Sequence, residues 1–153
     1  MHIPPGILGV LLGLAAPVVI FALEYRSKKF ESYNFDPKGV EGAFEPFLAK
    51  YIRAAEFIIG LATGSIVLLV GSSVLHGQDG HLAWFFASPL FLLAFSVVWG
   101  IAFMVWLVFS YEEYRHENPH TAFAYSLSEA LGFASLFCFC AGYVWLIIAV
   151  LKL

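Results

Sequence analysis

The sequence predicts an all-α integral membrane protein: a four-transmembrane-helix bundle with N- and C-termini outside and a long inner loop between helices 1 and 2. Three observations predict it. Hydrophobic residues make up 61% of the 153 positions and charged residues only 12%, about half the charged share usual in a soluble domain. The apolar residues gather into runs long enough to cross hydrocarbon. The basic residues crowd into two of the connecting loops. A soluble domain of this length still exposes roughly a third of its surface, too much to hide so many apolar side chains. The whole chain, residues 1–153, therefore reads as a single four-helix membrane domain.

The first run, residues 7–23, follows Pro4, Pro5 and Gly6 and ends at Glu24, Tyr25 and Arg26. Proline suits a first helical turn, where its missing N–H would be unsatisfied anyway. No Lys or Arg precedes the run and no cleavage-site pattern follows it, so it reads as a retained span.

The second run, residues 57–75, ends in the helix breakers of residues 76–80. Its helix is expected to begin earlier, at Pro46. Phe47, Leu48, Tyr51, Ile52 and Ala55 form one apolar stripe, with Lys50, Arg53 and Glu56 off it. That pattern describes an amphipathic approach to the membrane.

The third run, residues 82–109, would make a helix of about 42 Å, longer than a bilayer core. Ser88 and Pro89 supply an N-cap and a first-turn proline. They divide the run into an aromatic interfacial segment, residues 81–87, and a span over residues 89–109. A single kinked, tilted helix is the alternative. Asn118 and Pro119 repeat the cap-plus-proline signal, and the fourth span is expected over residues 130–150.

Orientation follows from charge. Arg26, Lys28, Lys29, Lys38, Lys50 and Arg53 fall between spans one and two, and Arg115 between spans three and four. Cytoplasmic loops carry the basic excess. A bacterial inner membrane fits the pattern best, with the endoplasmic reticulum as the alternative.

Small residues allow helices in lipid to approach closely. They recur as Gly6, Gly9, Gly13 and Ala16 in span one, Gly60, Gly64 and Gly71 in span two, and Ala130, Ala134, Cys138 and Gly142 in span four. Span three is bulkier (Phe91, Phe95, Trp99, Phe103, Trp106) and is expected at a lipid-facing or ligand-facing edge. Cys138 and Cys140 point to different faces of one helix, which disfavours a mutual disulfide or shared metal.

Polar groups concentrate towards the inner end. Glu24, Glu56, Glu112, Glu113, His116, His120 and Glu129 are expected at or beyond the inner helix ends, which leaves no ionisable residue inside the first three spans. Glu113 and His116 form Glu-x-x-His, half the pattern of carboxylate-bridged di-metal bundles, with Glu56 and Glu129 as further donors. The same residues equally describe a hydrated charged loop. His76 and His81 flank the outer turn, but mid-span histidines would suit a haem better. Glu129 is a functional or inter-helix acid if its helix inserts deeply; otherwise it solvates the helix end. Arg53, Glu56 and Glu129 are the candidate catalytic residues. Arg53 at the membrane edge is also explained by snorkelling.

These features favour a small membrane subunit or scaffold acting through homo- or hetero-oligomerisation with other membrane proteins, with no nucleic-acid partner. In layout the chain also resembles the membrane-associated eicosanoid and glutathione metabolism family: about 150 residues, four spans, outer termini and a long inner first loop. That family carries an arginine, an asparagine and a glutamate in register at the start of its second span. Arg53-Ala54-Ala55-Glu56 offers the arginine and a glutamate at a different separation, without the asparagine. The resemblance implies a trimeric enzyme acting on a lipophilic substrate, with glutathione bound between subunits. Arg53 and Glu56 would face the thiol cofactor, and Tyr111 or Tyr114 would donate a proton or hydrogen bond. A small transporter is a third reading, disfavoured by the lack of paired halves.

Overall fold

The computed structural model describes residues 5–27, 44–72, 84–115 and 121–151. They form four long helices: α1 (Pro5–Ser27), α2 (Phe44–Gly71), α3 (Ala87–Arg115) and α4 (Ala122–Val150), with a 3₁₀ turn at Trp84–Phe86 leading into α3. Each helix contains a segment long and apolar enough to span a membrane: Gly6–Arg26, Leu48–Gly71, Ala87–Glu113 and Phe123–Val150. The protein is an all-α, multi-pass membrane bundle.

Local chemistry accounts for where the helices start. Ser88 and Pro89 sit within the first turn of α3, two positions further into the helix than the N-cap reading requires, and both are buried. Proline costs nothing there. α4 is capped by Thr121: its backbone is extended and its Oγ1 accepts from the Ala124 N–H at 3.2 Å. A hydroxyl acceptor in this position satisfies one of the N–H groups that a helix start leaves unpaired.

α3 is the hub. Its most extensive contact is with α4; α1 lies against both α3 and α4, while α2 packs on α3 and touches α4 sparsely. The expectation of a lipid-facing third span is therefore overturned. Its large side chains are not turned out to lipid as a set, because they occupy the small-residue faces of the neighbouring helices. A Cβ added to Gly13 would collide with the Phe95 ring, and one added to Gly132 would lie 3.2 Å from Phe103. Ala16, Leu92, Ala134 and Cys138 form one buried cluster, with Phe95, Trp99 and Trp145 packed against it. Gly9 lies against the main chain of α3, so that a Cβ there would stand 2.7 Å from the Ser88 carbonyl oxygen. Without a hydrophobic effect between helices in lipid, such close packing supplies the association energy.

One junction shows how a proline is tolerated mid-span. Pro17 has no N–H, so the carbonyl four residues earlier, on Gly13, loses its helical donor. In hydrocarbon an unsatisfied carbonyl is costly. The Trp99 indole Nε1–H donates to this Gly13 oxygen at 2.9 Å and replaces the missing bond. Gly13 thus admits the Phe95 ring and accepts from Trp99 on the same helix, α3. Elsewhere, Trp106 Nε1–H donates to the Ala124 carbonyl at 3.1 Å and Ser135 Oγ to the Ser96 carbonyl at 2.8 Å, pinning α3 to α4 at two levels.

Candidate functional site

Depth in the bundle can be read from its contacts. Gly100, at the centre of the α3 span, packs against Ile59 of α2 and Ser135 of α4, which lie at or beside the centres of their own spans. Ile59, Gly100 and Ser135 therefore mark a common mid-layer. Glu56 lies three residues from Ile59, about 4.5 Å along the axis. Arg53 lies six residues from Ile59 and Glu129 six from Ser135, each about 9 Å from the layer. α2 is continuous from Phe44 to Gly71, so Arg53 and Glu56 lie within it, on the approach segment that the sequence expects to begin at Pro46.

The three residues are not brought together. Glu129, on α4, is half-buried and engaged by other groups. Arg53 and Glu56 are exposed on the side of α2 away from the bundle. At 100° per residue, Arg53, Glu56, Gly60, Thr63, Gly64, Val67 and Gly71 share that outer face. All seven are exposed, and a Cβ added to Gly60, Gly64 or Gly71 would meet nothing within 4 Å. The opposite face carries Ala55, Ala62 and Leu69, which are buried. Ala62 and Leu69 join Leu93 in a second core cluster with Phe139 and Tyr143 alongside.

A polar link ties α2 to α4. The Ser65 hydroxyl donates to the Leu61 carbonyl at 2.8 Å and is paired with the Tyr143 hydroxyl. Serine back-bonding is thus combined with an inter-helix bond. Tyr143 was not singled out from the sequence. A tyrosine within an apolar run was the available signal, since a hydroxyl at that depth needs a partner.

Glu112 and Glu113 are exposed at the end of α3, and Tyr111 is half-buried and engaged. His116 and His120, with the outer His76 and His81, lie outside the described residues, as does the Asn118–Pro119 pair. Among the described residues no three His, Cys, Asp or Glu side chains gather as a metal site. Cys138 is buried and Cys140 exposed, and both are free thiols.

Comparison with protein-family models, curated proteins and solved structures finds no match to this chain. The functional reading rests on the geometry.

Proposed function

We propose that this protein is a membrane subunit that works by associating with other transmembrane helices through the outer face of α2. The observation that carries the reading is the composition of that face. It combines a close-approach surface (Gly60, Gly64, Gly71) with two exposed charged side chains, Glu56 and Arg53, one and two turns from Gly60 on the same face. Charged groups on a membrane helix are expensive where they meet hydrocarbon and ordinarily face protein or a polar cavity there. A packed helix would cover the glycines and give both charges a partner.

The distribution of basic residues supports an orientation with the Arg53 end of α2 on the inner side and both termini outside. A bacterial inner membrane is the preferred setting, with the endoplasmic reticulum as the alternative.

Photo-crosslinking in native membranes tests this reading. A photoreactive residue replacing Val67, on the outer face of α2, is expected to give protein adducts. The same residue replacing Val144, exposed on α4, serves as a lipid-facing control. Adduct yields no higher at Val67 than at Val144 would remove the reading.

A second reading uses the same two side chains: an enzyme acting on a lipophilic substrate, with its polar site completed between subunits at Arg53 and Glu56. It requires saturable glutathione binding in detergent that Arg53→Ala abolishes; absence of saturable binding eliminates it.

A further inference from the structure

We infer that α1 is hinged at Pro17: residues 5–16 are fixed to the bundle, and residues 18–27 pivot about the proline as a leaf that opens the junction between α1 and α4. The hinge stands apart from the outer face of α2. Burial along α1 divides at the proline. Gly6, Gly9, Gly13 and Ala16 are buried, and Gly9 lies against the main chain of Ser88. After Pro17 none of residues 18–26 is buried. Ile20, Phe21 and Glu24 are half-buried, Ile20 packs against the cluster of Ala16, Leu92, Ala134 and Cys138, and Glu24 and Tyr25 are engaged. Two halves of one helix are therefore held with different firmness, and the change falls at the residue type that interrupts a helix most.

The hydrogen bonding at the proline does not oppose the pivot. In an unbroken helix, bending lengthens the backbone bonds on the convex side. At Pro17 one such bond is absent, because proline has no N–H to offer the Gly13 carbonyl. Trp99 Nε1–H donates to that carbonyl at 2.9 Å. Trp99 belongs to α3 and Gly13 to the fixed half, so this bond stays made while residues 18–27 move. The proline ring also crowds the carbonyl four residues back, which opens the helix on its proline side and bends it the other way. Gly13 and Pro17 differ by about 40° around the helix, and Gly13 faces Phe95 and Trp99. The favoured bend thus carries residues 18–27 away from α3.

An aromatic contact closes the leaf. Phe21 meets Phe123 of α4 edge-on, with ring centroids 5.4 Å apart, and stacks on Tyr25 one turn further along α1 at 5.6 Å. Phe123 is 52% exposed, so the pair is open at its rim. A single edge-to-face pair makes a weak latch.

Distance distributions between spin labels in the full-length chain, reconstituted in lipid bilayers, test the hinge. Cys140→Ser removes the exposed thiol, and Cys138 stays buried. One labelled pair is Leu23→Cys with Val108→Cys, exposed positions on the moving half and on α3. The other is Leu11→Cys with Phe91→Cys, exposed positions on the fixed half and on α3. The first pair is expected to give a broad distribution with a longer-distance component, and the second a single narrow one. Pro17→Ala returns an N–H donor to the Gly13 carbonyl and is expected to narrow the first distribution to the width of the second. Phe21→Ala removes the latch and is expected to raise the longer-distance component about twofold or more, with the second pair unchanged.

Equal widths for the two pairs in the otherwise unaltered chain would overturn the inference. Breadth at position 23 that survives Pro17→Ala would overturn it too, because it marks fraying of the helix end and not a hinge. So would a Phe21→Ala chain with no gain in the longer-distance component.

Discussion

The small-residue faces of α1 and α4 and that of α2 look alike as sequence and behave as opposites in the bundle. On α1, Gly9 and Gly13 are buried against the main chain of α3 and against Phe95. On α4, Gly132 and Gly142 lie against Phe103 and Leu93. On α2, Gly60, Gly64 and Gly71 face away from every described helix. The difference teaches that a small-residue pattern specifies close approach without specifying the partner. The partner is set by where large side chains are available. α3 supplies Phe95, Trp99 and Phe103 to α1 and α4, whereas α2 meets α3 through its other face, around Ala55, Ala62 and Leu69.

The sharpest test of this contrast places the same substitution on both surfaces. Gly9→Leu forces a side chain into the Ser88 backbone, which cannot rotate away, and is expected to destabilise the chain by about 3 kcal/mol or more. Gly64→Leu meets open space and replaces a poor helix former, so the single chain is expected to gain up to about 1 kcal/mol. Reversible unfolding in mixed micelles distinguishes them. Similar effects at the two positions would break the comparison.

The Pro17 junction gives the next largest effect. Trp99→Phe leaves the Gly13 carbonyl without its replacement donor and is expected to cost about 1–3 kcal/mol. In a Pro17→Ala background the helix regains its own N–H donor to that carbonyl, so the cost of Trp99→Phe should fall. A double-mutant cycle reads the coupling; an additive cycle would show that the indole bond does not compensate for the proline.

The link between α2 and α4 is expected to matter least. Tyr143→Phe removes one inter-helix hydroxyl and should cost about 0.5–1 kcal/mol. Amide exchange should rise in α2 more than in α1, because α2 has the sparser packing. Equal increases in both helices would show that α2 is as firmly held as the rest.

Much of the architecture was legible from the sequence because bilayer thickness and backbone hydrogen bonding restrict what an apolar run can become. The small residues of α1 and α4 also marked helix contacts. Two features were not legible. The bulk of α3 suggested a lipid-facing or ligand-facing edge, since composition does not reveal that its rings enter the glycine faces of neighbours. Thr121 was not singled out as the cap of α4, because hydropathy marks an apolar run and not the hydroxyl that begins its helix. Arg53 and Glu56 were identifiable as polar residues beside a span. Only the fold puts them in line with the glycines of α2 and turns that line outward.

The central claim is that α2 carries an association face that the chain's own fold does not use. Its most direct measurement is the yield of protein adducts in native membranes from a photoreactive residue at position 67, with and without the further changes Gly60→Leu and Gly64→Leu, helical content and thermal unfolding being followed in parallel. The chain with its glycines intact is expected to give adducts, and the glycine-substituted chain to lose them by about tenfold or more while keeping its fold. Undiminished adducts in the glycine-substituted chain, or collapse of its fold, would contradict the claim.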